Sequence, residues 1–163
     1  MAPDDRDAVS ADDMIHRRVL HRPGDMVKYD ENQQRWLPLA AAVRFDPDLS
    51  VSLESRLVAR GLSADDVAAS KQGAVAFGCT VATVRAMEFG VTYTPVTPPS
   101  SILDECHSSV WADDHWDRGE FKSRRNRLRI ALRRLSQLPL SGTSGRRRRR
   151  ARRPSTTAPA ARA

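Results

Sequence analysis

Cysteine, long apolar runs and late acidic residues are what this 163-residue chain has least of. Its two cysteines, Cys79 and Cys106, are too few for a disulfide framework, and reduced thiols are the expectation. Uncharged stretches such as residues 72–84 fall well short of the roughly 20 apolar residues that a membrane-spanning helix needs. The N-terminus, with Asp4, Asp5, Asp7, Asp12 and Asp13, is the opposite of a basic, apolar secretion signal. A cytoplasmic protein with no membrane partner is therefore expected. Aromatic residues make up 6% of the chain and none lies beyond Phe121, so the C-terminal segment has no stacking platform for single-stranded bases.

Cationic charge is what the chain does have, and it is concentrated. Residues 122–163 carry fifteen Lys or Arg and no acid, whereas residues 1–121 carry twelve bases and twenty acids. The formal net charge of +7 thus joins an acidic body to a polycationic end. Lys122, Arg124, Arg125, Arg127, Arg129, Arg133 and Arg134 form one block. Arg146, Arg147, Arg148, Arg149 and Arg150, followed by Arg152 and Arg153, form a second beyond a Ser-Gly hinge. Phosphate oxygens are their natural partners: each phosphate neutralised releases condensed counterions, and such binding follows the backbone without reading base sequence. Arg, Ala, Pro and Gly are also the residues that GC-rich codons produce, so an unselected, solvated tail is the competing explanation.

The length suits one ordinary domain between polar ends. Residues 1–13 read as a disordered acidic leader, residues 14–138 as a small α+β domain, and residues 139–163 as a disordered Arg-rich tail with nothing to bury. Within the domain a small mixed sheet of short strands with three or four helices is expected. Met14–Leu20 suits a short strand, and Pro23-Gly24 a type II turn in which glycine supplies the positive φ. Residues 36–43 are compatible with a short helical turn, and Leu49, Val51 and Leu53 alternate with Ser50 and Ser52 along a half-buried strand. Ser63 with Asp66 has the spacing of a capping box, with Leu62 and Val67 as its hydrophobic staple. Residues 74–77 suit a buried strand, and Thr80 can cap a helix over residues 81–89 that stops at Gly90. Strands are expected again at residues 91–94 and 106–111. The clearest element is a basic C-terminal helix opened by Asp117 and Glu120, with Leu128, Ala131, Leu132 and Leu135 on one face and Pro139 as its stop.

Three groups of side chains carry possible chemistry. The basic helix and tail are the first. The second is Cys106-His107 with Asp113, Asp114, His115 and Asp117, which are metal-ligand types at a spacing that matches no zinc pattern. A polar loop whose Asp residues pair with the adjacent Arg-rich helix accounts for them, and no metal or other cofactor is expected. The third is non-local: Arg17 and Arg18 on the first strand, Ser50 and Ser52 on the second, and His107 on the last, with Glu54 nearby. If those strands are neighbours, guanidinium, hydroxyl and imidazole line one cleft that can hold a phosphate and move a proton. The same residues also suit ordinary solvent-facing strands.

The runs Arg17-Arg18-Val19, Leu49-Ser50-Val51-Ser52 and His107-Ser108-Ser109-Val110 resemble the layout of small uncharacterised bacterial proteins, over about residues 14–133. That resemblance implies no known activity. A basic strand followed by a serine-bearing strand also resembles the ADP-ribosyltransferases, but that family's serine-threonine-serine triplet and downstream glutamate motif are missing here. The sequence favours a non-enzymatic protein that contacts nucleic acid or another polyanion through its basic end. The alternatives are a small enzyme or nucleotide-binding domain using Arg17, Ser50 and His107, and an interaction module that docks acidic proteins.

Overall fold

The computed structural model describes residues 1–137; Leu138 and the Arg-rich tail at residues 139–163, Arg146 to Arg150 included, lie outside the described residues. In chain order the elements are β1 (Met14–Leu20), β2 (Val27–Asp30), β3 (Arg35–Pro38), β4 (Leu49–Leu53), α1 (Glu54–Ala59), α2 (Ala64–Ala69), β5 (Ala74–Thr80), α3 (Val81–Ala86), β6 (Gly90–Tyr93), β7 (His107–Trp111), α4 (Arg118–Ala131) and β8 (Arg133–Arg134). Two 3-10 turns, Ala40–Val43 and Ile102–Cys106, complete the set. The α+β class is as the sequence implied. The sheet differs in one respect: its six strands, ordered β6-β7-β4-β1-β5-β8, pair antiparallel at every step rather than in mixed directions.

Strand alternation sorts the sheet's two faces. Ile15 and Val19 of β1, Leu49, Val51 and Leu53 of β4, and Val75, Phe77 and Cys79 of β5 enter the main core, with Val84, Phe89, Leu128 and Leu132 from the covering layer. On the opposite face Ala76 joins Leu57 of α1, Val67 and Ala68 of α2, and Cys106 in a smaller cluster. That cluster covers only part of its face. The remainder carries polar side chains and forms the floor of a cleft.

Local signals match closely where they depend on one turn of chain. Gly24 has φ 88° and Asp25 N–H donates to Arg22 O at 3.1 Å, which closes the expected turn. Ser63 N–H donates to Asp66 Oδ2 at 2.8 Å, and Thr83 N–H to Thr80 Oγ1 at 3.2 Å. Asp117 Oδ1 accepts from Glu120 N at 2.8 Å, while Glu120 Oε2 accepts from Asp117 N at 3.1 Å.

Other expectations are corrected. The basic helix stops at Ala131 because Leu132 turns extended, and Arg133–Arg134 then pairs with Phe77 and Gly78 as β8. Leu132 is buried all the same, so its apolar character served a strand edge rather than a continuing helical stripe. Helix α3 ends at Ala86, and the reversal falls on Glu88 at φ 65° rather than on Gly90. Gly90 is needed for another reason: a Cβ there would overlap the Pro3 carbonyl oxygen. Pro3 sits so close because the N-terminal segment, expected to lie free of the fold, packs onto it. Val9 is fully buried in the main core, Asp5 N donates to Val91 O at 2.9 Å, and Arg85 binds the Asp4 carboxylate.

Candidate active site

Antiparallel register aligns polar residues in rows across the uncovered face. His16 of β1 faces Ser52 of β4, which in turn faces His107 of β7. One step along, Ser50 faces Ser109. β1 pairs with β5 along all seven residues but with β4 only at Ile15 and His16, so the ladder between β1 and β4 stops just where the cleft begins. The cleft has a volume of about 290 Å³, at the small end for a ligand site. Val67, Ser70 and Lys71 from the α2 end form one wall, and Leu103 and Asp104 the other.

His107 is held at both ring nitrogens. Its Nδ1 lies 2.7 Å from the Thr94 carbonyl oxygen, which can only accept, so Nδ1 carries the proton. In the neutral ring Nε2 is then an acceptor, and Ser50 Oγ donates to it at 2.8 Å. Thr94 also orders the far side through its hydroxyl, 2.8 Å from Ser109 Oγ. Hydroxyl, imidazole and orienting acceptor thus form a chain of the kind that activates a serine, with a backbone carbonyl in the orienting position. Ser50 is exposed at the cleft.

Arg17 supports this arrangement from behind. Its Nη1 donates to Ser50 O at 2.8 Å and its Nε to Ala42 O at 3.2 Å, so the guanidinium fills main-chain acceptors at the point where the ladder stops. Burial and the neighbouring Arg18 charge both lower its pKa, and Asp48 opposes them. Arg18 instead points along the cleft and donates to Ser70 Oγ at 2.7 Å. His16, 3% exposed, lines the floor, and neither ring nitrogen finds a hydrogen-bond partner among the described residues. The Glu54 carboxylate is 3.8 Å from its Nε2. Burial pushes the His16 pKa down, with Glu54 and Asp13 pulling part of the way back, so the ring is neutral at physiological pH.

Arg17, Ser50 and His107, picked from the sequence, therefore meet at one cleft, with Arg17 bound to the main-chain carbonyls of Ala42 and Ser50. Sequence reasoning missed His16, Thr94, Ser70 and Lys71. The parity of β1 offered a signal for His16, which shares a face with Arg18. Thr94, Ser70 and Lys71 lie just beyond the ends of their elements and had none.

The basic helix is less free than its charge suggests. Arg124 pairs with Glu88, donates to Met87 O at 3.3 Å and lies 4.6 Å over the Trp116 ring. Arg129 donates to Asn126 and to Pro38 O, Arg125 sits over Phe121, and Arg134 is partly buried. Lys122, Arg127 and Arg133 are exposed. The acids expected to pair with this helix do other work: Asp113 meets the N-terminal amine at 3.2 Å, and Asp117 caps α4. Among the described residues no group of three or more His, Cys, Asp or Glu is placed to hold a metal ion, and no helix is long and apolar enough to cross a membrane.

The fold and cleft define an α+β domain with an antiparallel sheet and a serine–histidine pair on its uncovered face. Neither a protein-family model, nor a curated protein, nor a solved structure matches the chain, so what the cleft does is argued from its own geometry.

Proposed function

We propose that the protein is a small enzyme that transfers or hydrolyses a group through Ser50, with His107 as its general base. The observation that carries this reading is the 2.8 Å Ser50 Oγ–His107 Nε2 hydrogen bond, with Nδ1 held by Thr94 O. Ser50 Oγ bonds to the electrophilic carbon or phosphorus of the substrate while its proton passes to Nε2. That proton then goes to the departing alkoxide. Water, deprotonated in turn at Nε2, breaks the Ser50 ester and takes the released group, and the proton returns to Ser50 Oγ. Arg17 is a positioning residue, since it holds the Ser50 carbonyl. The buried, unpaired thiols Cys79 and Cys106 are compatible with a reducing, cytoplasmic setting.

The test is labelling of the full chain with a serine-reactive fluorophosphonate, located by mass spectrometry, alongside turnover of activated esters. Ser50 is the expected adduct site. Ser50→Ala removes labelling and turnover, and His107→Ala slows both by about 100-fold or more with the melting temperature retained. Equal turnover in wild type and Ser50→Ala would overturn the assignment.

A second reading, contact with nucleic acid or an acidic protein through the basic end, is favoured by one arrangement. Arg35 of the β2–β3 hairpin donates to Leu132 O and Ile130 O, which brings the hairpin's aromatic pair beside the cationic helix end. That pair is Tyr29, 46% exposed, with Trp36 at 5.5 Å. The tertiary fold thereby supplies the stacking group that the basic segment lacks in sequence.

A further inference from the structure

We infer that the substrate of the Ser50–His107 pair is a small phosphorylated molecule whose phosphate is anchored by Arg18 and Lys71 at the rim and by Ser52 and His16 on the floor. This rests on the enzyme reading above and names its substrate class. Four observations lead to it. Neither Arg18 nor Lys71 has a carboxylate within ion-pairing distance among the described residues, and Arg18 spends one guanidinium N–H on Ser70 Oγ. The one carboxylate lining the cleft, Asp104, is taken up by its own turn: its Oδ2 accepts from Ser100 N at 2.7 Å, Ser100 Oγ at 2.6 Å and Ser101 N at 3.0 Å. Arg17, Arg18 and Lys71 therefore leave the lining net positive. The Ser52 hydroxyl makes no hydrogen bond to any described residue.

His16 is the most telling of these. A polar ring at 3% exposure with neither nitrogen hydrogen-bonded to a described residue is costly to fold. It lines the cleft in the same row as Ser52 and His107, with the Glu54 carboxylate 3.8 Å from its Nε2. A tetrahedral, doubly charged phosphate has enough acceptor sites to serve guanidinium, ammonium, hydroxyl and imidazole donors together, whereas a planar carboxylate has fewer. Ser50 and His107 flank these donors, so an anchored phosphate would hold the rest of the molecule against the nucleophile.

Titration of the full chain with inorganic phosphate, followed by the imidazole NMR signals of His16 and His107, tests this directly. The Arg-rich tail also attracts phosphate, but it carries no histidine and cannot move those signals. Saturable shifts in the millimolar range are expected, stronger than with acetate at matched ionic strength. The Arg18→Ala, Lys71→Ala double variant, whose substitutions lie at the rim, should bind about tenfold more weakly. His16→Asn, which keeps a donor, should retain more affinity than His16→Phe. No saturable shift, or equal shifts with acetate, would overturn the inference even if fluorophosphonate labels Ser50. Phosphate binding without labelling would instead overturn the enzyme reading and leave the phosphate site standing.

Discussion

His16 and His21 are both held below the ordinary histidine pKa of 6.5, His16 by burial against the partial pull of Glu54 and Asp13, and His21 by burial and the charge of Arg134. Between the lowered folded values and 6.5 the unfolded chain binds more protons than the folded one, so stability rises with pH across that window. Acidification from neutrality should therefore weaken the fold before any carboxylate with a lowered pKa, such as Asp4 or Asp66, begins to protonate below the ordinary carboxylate value of 3.8. Urea unfolding at pH 7.5 and pH 5.5 checks this. The wild type should lose stability at the lower pH, and His16→Gln, which cannot titrate, should lose less of it. A pH-independent midpoint in the wild type would contradict the buried placement of His16. The thiols make a contrasting case: burial pushes Cys79 up to about 12, which leaves it protonated and unreactive in the native state.

At the scale of elements, the acidic N-terminal segment acts as a cover for an open sheet edge. β6 is one of the two edge strands, and Val91 uses both its backbone groups on this segment, donating to Asp4 Oδ1 at 3.2 Å and accepting from Asp5 N at 2.9 Å. Arg85 clamps the arrangement, with its Nε donating to Asp4 and its Nη2 to Val9 O at 3.0 Å. Burial opposes ionisation of Asp4, but the hydrogen bonds from Arg85, Val91 N–H and Arg6 outweigh it and hold the carboxyl below its ordinary value. Both partners are well covered, at 12% and 13% exposure, so removing the carboxylate strands a desolvated guanidinium. Asp4→Ala should cost about 2–3 kcal/mol in urea unfolding and promote self-association by size-exclusion chromatography, since the β6 edge is left open. Unchanged stability would mean that the segment is detached in solution.

For the whole molecule the governing quantity is the separation of charge between an acidic body and a basic end. Among the α4–β8 cations Arg118, Lys122, Arg127 and Arg133 are exposed while the others are partly buried, so most of any polyanion affinity belongs to the residues beyond them. Binding to nucleic acid should fall steeply between low and physiological salt, vary little with base sequence, and drop sharply in a chain ending at Leu138. Salt-independent binding in a fluorescence-anisotropy titration would sink the polyanion reading. The charge partition needed no structure, because it is a property of composition along the chain. The same holds for the Ser63 and Asp117 caps, the Gly24 turn and the alternation of β4, each of which depends on residues within a turn or two of one another. Packing of Val9, Asp4 and Gly90 was invisible for the opposite reason: an acidic stretch with few apolar residues reads as free until the edge strand and arginine that receive it are in place. The end of α4 was likewise a tertiary decision, since Leu132 is apolar whether it continues a helical stripe or lines a strand. Above all, only strand order brought Ser50 to His107 across 57 residues, set Thr94 behind the ring and left His16 buried beside them. Periodicity fixes which face of a strand a side chain occupies, but the neighbour it meets there depends on long-range pairing that no local pattern encodes.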